Sequence, residues 1–311
     1  MRWLAKAALQ RGLGLLPQGE RLNYVFQRHV AHSLPASQSV FRRKFARARQ
    51  HLRAFGEHGP GVVPAGEAVF YEFGAGWDLN IALSYAALGV GRQVLVDIRP
   101  SVRLELVNDS LRTFERLWEE LEAEAGRALR PLGGPVGSTE ELEERFGIAY
   151  LAPRDARATG LPGESVDFVS STDTCEHIPT ADLAQIFAEC RRLLRPGRAF
   201  SCRIDLQDHY SYFDPKLSRY HFLRFSDRAW NLVNSPLHYQ NRLRAPDYLA
   251  LAREAGLEVV TETPSPPNEA RLAELRGLPL APRFRGYRLE DLGVTILSFV
   301  ARKPQLPDAS K

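Results

Sequence analysis

The sequence predicts an α/β protein built on a mostly parallel sheet with helices on both faces, extended by N-terminal helices and interrupted by a cap. Three observations carry that prediction. From residue 68 onward, strand-length apolar runs alternate with helix-length amphipathic stretches, the pattern of parallel strands joined by crossover helices. The first of these runs empties into a glycine-rich turn, as happens where a parallel strand meets a helix at a ligand-binding edge. The composition, 44% hydrophobic and 25% charged over 311 residues, supplies a large core. It excludes a mainly disordered chain, a collagen-like one and a disulfide scaffold.

Each element follows from local pattern. Residues 1–55 read as helical, with Phe41, Phe45, Leu52 and Phe55 recurring near helical spacing between arginines. Residues 56–66 (GEHGPGVVPAG) read as a linker because Gly and Pro break both periodicities. Residues 68–73 form the first strand and 79–88 the helix after it; 93–98 (QVLVDI) is a buried-strand pattern. A long helix is expected over 102–125, a loop over 126–137, a short helix over 139–146 and a strand over 148–151. Residues 165–171 are a strand and 180–194 a helix that stops at Arg195-Pro196-Gly197. A strand at 199–206, a helix at 246–255 closed by Gly256, and strands at 257–261 and 294–301 bring the count to seven strands. The organisation read from this is an extension and linker at 1–65, a cofactor-binding core at 66–206, a cap at 207–245 and completion of the core at 246–311.

The net charge of +4 hides an asymmetry: residues 1–55 hold eleven Lys/Arg and one acid, Glu20. A basic arm of that kind suits an anionic partner such as a membrane surface, a nucleic acid or a phosphorylated substrate, or else a solvated helix face. Apolar runs fall short of the ~20 residues needed to span a membrane, and Cys175, Cys190 and Cys202 are odd in number without paired spacing. A cytoplasmic location with reduced thiols is expected.

The turn after the first strand reads Glu72-Phe73-Gly74-Ala75-Gly76-Trp77-Asp78, and Asp97 follows Gly74 by 23 residues at the end of the second strand. Glycines there let the backbone approach a ligand, and an acid there reaches ribose hydroxyls. A dinucleotide would call for a glycine at Leu79 and no carboxylates beside its pyrophosphate. Glu72 and Asp78 flank the turn instead, which suits a nucleoside cofactor with an ammonium group and no phosphate. S-adenosylmethionine has that chemistry.

At this point the chain resembles the class I S-adenosylmethionine-dependent methyltransferases, which have a Rossmann-like, mostly parallel seven-stranded sheet. The matching segments are EFGAG at 72–76, LVDI at 95–98, RDA at 154–156, VDFVSSTDTCEHI at 166–178 and LRPGRAF at 194–200, in the family's order. Asp78 stands where the family often has a third turn glycine. The resemblance implies that Gly74 and Gly76 approach the cofactor's tail and sugar and that Glu72 anchors the turn or the ammonium end. It implies Asp97 on the ribose, Asp155 with the Ala156 amide on the adenine edge, and Thr172 and Glu176 among the residues under the sulfonium.

A sulfonium methyl is already activated, so the protein must align a nucleophile and manage one proton. His177 is the nearest candidate base, or a residue that packs on the next helix, and His209 is its rival. No metal is expected, because no acids and histidines stand at recognisable ligand spacing. The cap holds eight aromatics in 39 residues, with Tyr239, Asn241 and Arg242 as candidate contacts to a polar, ring-containing acceptor. These readings favour a methyltransferase acting on an O or N atom of a polar small molecule or glycan precursor. The alternatives are an RNA methyltransferase using the basic arm and a non-catalytic nucleotide-binding protein. A nicotinamide-dependent reductase is disfavoured by the turn.

Overall fold

The computed structural model describes residues 2–14, 19–29, 34–59 and 63–305. Seven strands form one sheet: β1 (Val69–Phe73), β2 (Arg92–Val96), β3 (Ile148–Leu151), β4 (Val166–Thr172), β5 (Leu194–Asp205), β6 (Glu258–Pro264) and β7 (Ile296–Arg302). Their spatial order is β3-β2-β1-β4-β5-β7-β6, and β7 runs antiparallel to both its neighbours while β1 to β5 run parallel. The order reverses between β1 and β4, so the carboxyl ends of those two strands flank the switch point.

Helices cover both faces. On one lie α3 (Gln38–His58), α4 (Asn80–Ala87) and α5 (Leu104–Ala125), whose Phe41, Phe45, Leu83 and Phe114 share a buried cluster with Phe70 and Phe168 of the sheet. On the other lie α7 (Thr180–Leu193) and α9 (Ala245–Glu254), with Leu183, Phe187 and Tyr248 packed on Phe73, Phe200 and Phe299. Ser37 caps α3 by accepting from the Val40 amide, and α3 continues to His58, into the stretch expected as linker. Its apolar face is therefore part of the core. Between α5 and β3 lies the short helix expected there, α6 (Thr139–Phe146), capped by Ser138 and stopped by left-handed Gly147.

Two short helices went unread in the sequence, α10 (Glu269–Arg276) and α11 (Leu289–Gly293); they are brief and largely polar, and their order comes from packing. They close a third cluster in which Leu275, Phe284 and Leu292 meet Tyr210, Phe222 and Trp230 of the cap, and Trp3 of α1 (Arg2–Gly14). The short helix α8 (Asp227–Asn231) lies within the cap, and α2 (Gly19–His29) follows α1. β5 begins at Leu194, so Arg195-Pro196-Gly197, expected only as a helix stop, already lies in the strand; a register irregularity against β4 and left-handed Gly197 accommodate the turn. No described helix is long and apolar enough to cross a membrane.

Candidate functional site

The turn after β1 is built by two left-handed glycines, Gly74 at φ 75° and Gly76 at φ 76°. They differ in purpose. A Cβ on Gly74 would overlap the Thr174 side chain, so Gly74 lets the turn lie against the loop after β4. A Cβ on Gly76 would meet nothing, so the backbone there faces open space.

Two cavities meet at this turn, sharing Gly74 and Thr174. The larger, about 550 Å³, is lined by Asp97 after β2, by Asp155 and Ala156 after β3, and by His177 after β4. Asn234, Pro236 and Tyr239 of the cap form its outer wall. The smaller, about 200 Å³, is lined by Glu72, Gly76, Asp78, Thr172 and Asp173, with Lys44 and Arg47 of α3. One chamber is therefore mainly apolar with Asp97, Asp155 and Asp182 in its lining, and the other is small and carries both signs of charge.

The acids are held in distinct states. Asp97 accepts backbone hydrogen bonds involving Gly76, Ile98 and Arg99, yet desolvation outweighs them and raises its pKa to about 6. Glu72 is buried, and burial raises its pKa to about 8 while Lys44 pulls the other way. Its Oε2 has no protein hydrogen-bond partner, an orphaned acceptor at the small chamber. Asp78 is tied to Lys44 Nζ at 2.9 Å from both carboxylate oxygens and also accepts from Asn80. That bridge accounts for an acid at the third turn position. Asp155 is held by Arg157, which also reaches Asp182 at 2.7 Å. That pairing lowers the pKa of Asp155.

These groups fit S-adenosylmethionine. The residues that the resemblance assigns to the cofactor are gathered at one turn: Asp97, Asp155 and Ala156 line the larger chamber, and Glu72 and Gly76 the smaller. Lys44 and Arg47 of α3 also line the small chamber while paired with Asp78 and Asp173, a placement invisible in the sequence because α3 precedes the first strand by a long connection. Thr172 lines the small chamber, and its hydroxyl meets His51 Nε2 at 3.1 Å.

Several members of the basic segment pair internally. Lys44 meets Asp78, Arg47 meets Asp173, and Arg42 meets Glu124. Arg203 closes on Asp173 from β5, holding that residue at φ 50° just past β4. Lys44 and Arg47 thus serve the inside of the protein, whereas Arg42 and its glutamate partners lie at the surface.

The catalytic candidates converge. His177 sits at the mouth of the larger cavity, with Nδ1 at 2.7 Å from the Tyr239 carbonyl, and His209 lies with its ring centroid 4.9 Å from that of His177. Desolvation lowers both, His209 to about 3. Glu176, expected under the sulfonium, lines neither cavity; it is buried, and its Oε1 accepts from the Asp205 amide. Among the acceptor candidates, only Tyr239 faces the cavity. Asn241 is buried and donates to the Cys175 and Ile178 carbonyls while accepting from Leu243 and Tyr248. Arg242 is 2% exposed, bonded to the Phe222 and Phe225 carbonyls and to Asp227. Both hold the cap together, and neither reaches the acceptor space. The polar run that nominated them was rich in hydrogen-bonding groups because the cap's backbone needs partners.

A methyltransferase-domain family matches residues 138–202, from α6 to β5. Nothing matches among curated proteins. Among solved structures the chain is similar to geranyl diphosphate C-methyltransferase from Streptomyces coelicolor, 13% identical over 85% of this chain and 80% of that one, with a TM-score of 0.47. It is similar also to the [4+2]-cyclase SpnF, 15% identical over 83% and 82% of the two chains at a TM-score of 0.47. A third is the SeMet-substituted CurJ carbon methyltransferase, 14% identical over 84% and 54% at a TM-score of 0.43. The family match covers α6, β3, β4, α7 and β5 as far as Cys202, so residues 138–202 carry a methyltransferase domain, and the seven-stranded sheet around it has the fold of S-adenosylmethionine-dependent methyltransferases.

Proposed function

We propose that the chain transfers a methyl group to an oxygen or nitrogen atom of a polar small molecule or glycan precursor. The observation that carries this reading is the outer wall of the larger cavity, where cap residues Asn234 and Tyr239 face His177 beside the shared turn. A polar acceptor there would meet His177 and the Tyr239 side chain beside Gly74 and Thr174, while the Asn234 amide is held by the Gln240 backbone. When bound, S-adenosylmethionine supplies an electrophilic methyl. The chain's own task is to orient the acceptor in line with it, exclude water and receive a proton.

His177 suits the proton's reception by its tautomer. Donation from Nδ1–H to the Tyr239 carbonyl leaves Nε2 as the acceptor. The cap carbonyl therefore fixes both the ring's orientation and its chemistry. His209 stands behind it as the second imidazole.

The test is calorimetric titration with S-adenosylhomocysteine, followed by incubation with S-adenosylmethionine and a panel of sugars, hydroxy acids and amines. Binding in the micromolar range and methylation of an O or N atom is the expected result. Methyl transfer only to carbon acceptors would overturn the acceptor class. Tight nicotinamide-dinucleotide binding without response to either sulfur ligand would overturn the cofactor.

A further inference from the structure

We propose that Glu176, His177 and His209 form a binding site for one divalent transition-metal ion at the acceptor end of the larger cavity. Each offers one ligand atom, and these atoms all lie within 4.8 Å of one another. Two ligands at roughly 2.1 Å from a shared ion stand about 3.4 Å apart in a tetrahedron. Small side-chain rotations would therefore close the set.

Glu176 gives the independent observation. Its side chain is 1% exposed, Oε1 accepts from the Asp205 amide, and Oε2 has no protein donor. A buried carboxylate oxygen without a donor costs free energy, and a cation beside it removes that cost. The charges around the set are mixed: Lys6 acts on His209 from one side and Asp205 from the other, with Oδ2 at 3.9 Å from His209 Nε2. The charge of nearby Asp173 is already answered by Arg47 and Arg203.

His177 is also prepared in the manner of a metal ligand. A ligating imidazole usually donates its other N–H to a carbonyl or carboxylate, which sets its tautomer and aim. The Tyr239 carbonyl accepts at 2.7 Å from Nδ1, leaving Nε2 as the coordinating nitrogen. Two imidazoles and one carboxylate select Zn²⁺, Mn²⁺, Fe²⁺ or Co²⁺ over all-oxygen ions, and three protein ligands leave a position open. Of the three ligands, His177 lines the larger cavity and so ties the set to the acceptor space.

The use of the metal rests on the methyl-transfer reading; its binding does not. An acceptor hydroxyl seated on the ion loses its proton to water more readily, and the O–CH₃ bond forms as the S–CH₃ bond breaks with its electrons left on sulfur. With the ion bound, His177 and His209 act as ligands and the proton leaves through water; only in the metal-free chain is His177 Nε2 open to receive it. The sequence concealed the set because His209 lies 32 residues beyond His177, on a separate loop.

The test uses the full chain, freed of metal by a chelator and titrated with Co²⁺. One equivalent bound, with visible d–d absorption, is the expected result. His177→Ala, His209→Ala and Glu176→Gln should each weaken binding at least ~10-fold, as loss of support for a metal ligand does. His58→Ala, on α3 away from the cluster, should leave it unchanged. Circular dichroism and the melting temperature of each variant report its folding. Failure of wild-type chain to bind Co²⁺ or Zn²⁺ at millimolar concentration overturns the proposal whatever the variants do. So does binding that all three variants retain. Loss of S-adenosylhomocysteine binding by wild type would instead sink the methyl-transfer reading while leaving the metal result standing.

Discussion

At the scale of single residues, the site combines acids whose environments differ sharply. Asp97 owes its place to the end of β2 and its readiness to three backbone donors, so Asp97→Ala should weaken S-adenosylhomocysteine binding by ~1.5–3 kcal/mol, the range of hydrogen bonds to charged groups. Calorimetry reads that loss directly, and unchanged affinity in a folded variant would remove Asp97 from the ribose. Glu72 gives a pH signature. Its folded pKa is raised from 4.5 to about 8, chiefly by desolvation, so between those values the folded chain holds a proton that the unfolded chain has released. Its contribution to stability is therefore fullest below the unfolded value and declines as pH rises towards 8. Urea titrations of the ligand-free protein across that window should show the decline, and Glu72→Gln should flatten it. Arg242 belongs to structure. Removing a buried guanidinium that satisfies two carbonyls leaves those acceptors unpaired. Arg242→Ala should therefore lower the melting temperature while folded protein keeps its cofactor affinity.

At the scale of elements, α3 decides more than its sequence suggests. Its apolar face, Phe41 and Phe45, is edge-on to Phe114 of α5, and His51 bridges Ser201 of β5 at 2.8 Å and Thr172 of β4 at 3.1 Å. Its polar face delivers Lys44 and Arg47 to the small chamber. Phe45→Ala, at a fully buried position, should cost ~3–5 kcal/mol of stability by denaturant titration. Removal of residues 1–65 should abolish soluble folded protein, because it uncovers Phe70 and Phe168 as well as the chamber. A truncated chain that folds and binds cofactor normally would show that α3 is an appendage after all. Helix amphipathicity was legible in the residues; which sheet face α3 covers was not, because nothing local encodes it.

At the scale of the whole molecule, the cap draws on three separated stretches. Trp3 of α1 lies 5.5 Å from Tyr210 and 4.9 Å from His221 by ring centroids, and Phe284 and Leu292 join from beyond β6. The cap in turn presents Asn234, Pro236 and Tyr239 to the cavity. Trp3→Ala should loosen this assembly, changing acceptor KM or kcat while cofactor affinity stays within a few-fold. Steady-state kinetics beside calorimetry separates the two. Equal loss of both would mean that the cap and the cofactor chambers move as one body.

The alternation of strand and helix patterns, the Gly74-Ala75-Gly76 turn and the spacing to Asp97 determined the parallel core and the cofactor's edge, because backbone geometry and periodicity are local properties. Strand limits fell within a few residues for the same reason, except at Leu194–Gly197, where pairing with β4 overrode a helix-stop signal. Tertiary structure alone decided that Lys44 and Arg47 face inward and that Arg242 is a fastener. It alone brought Glu176, His177 and His209 to one point. Each of these depends on which segments meet across the fold. A side chain's partners are set by three-dimensional neighbours that sequence spacing does not record.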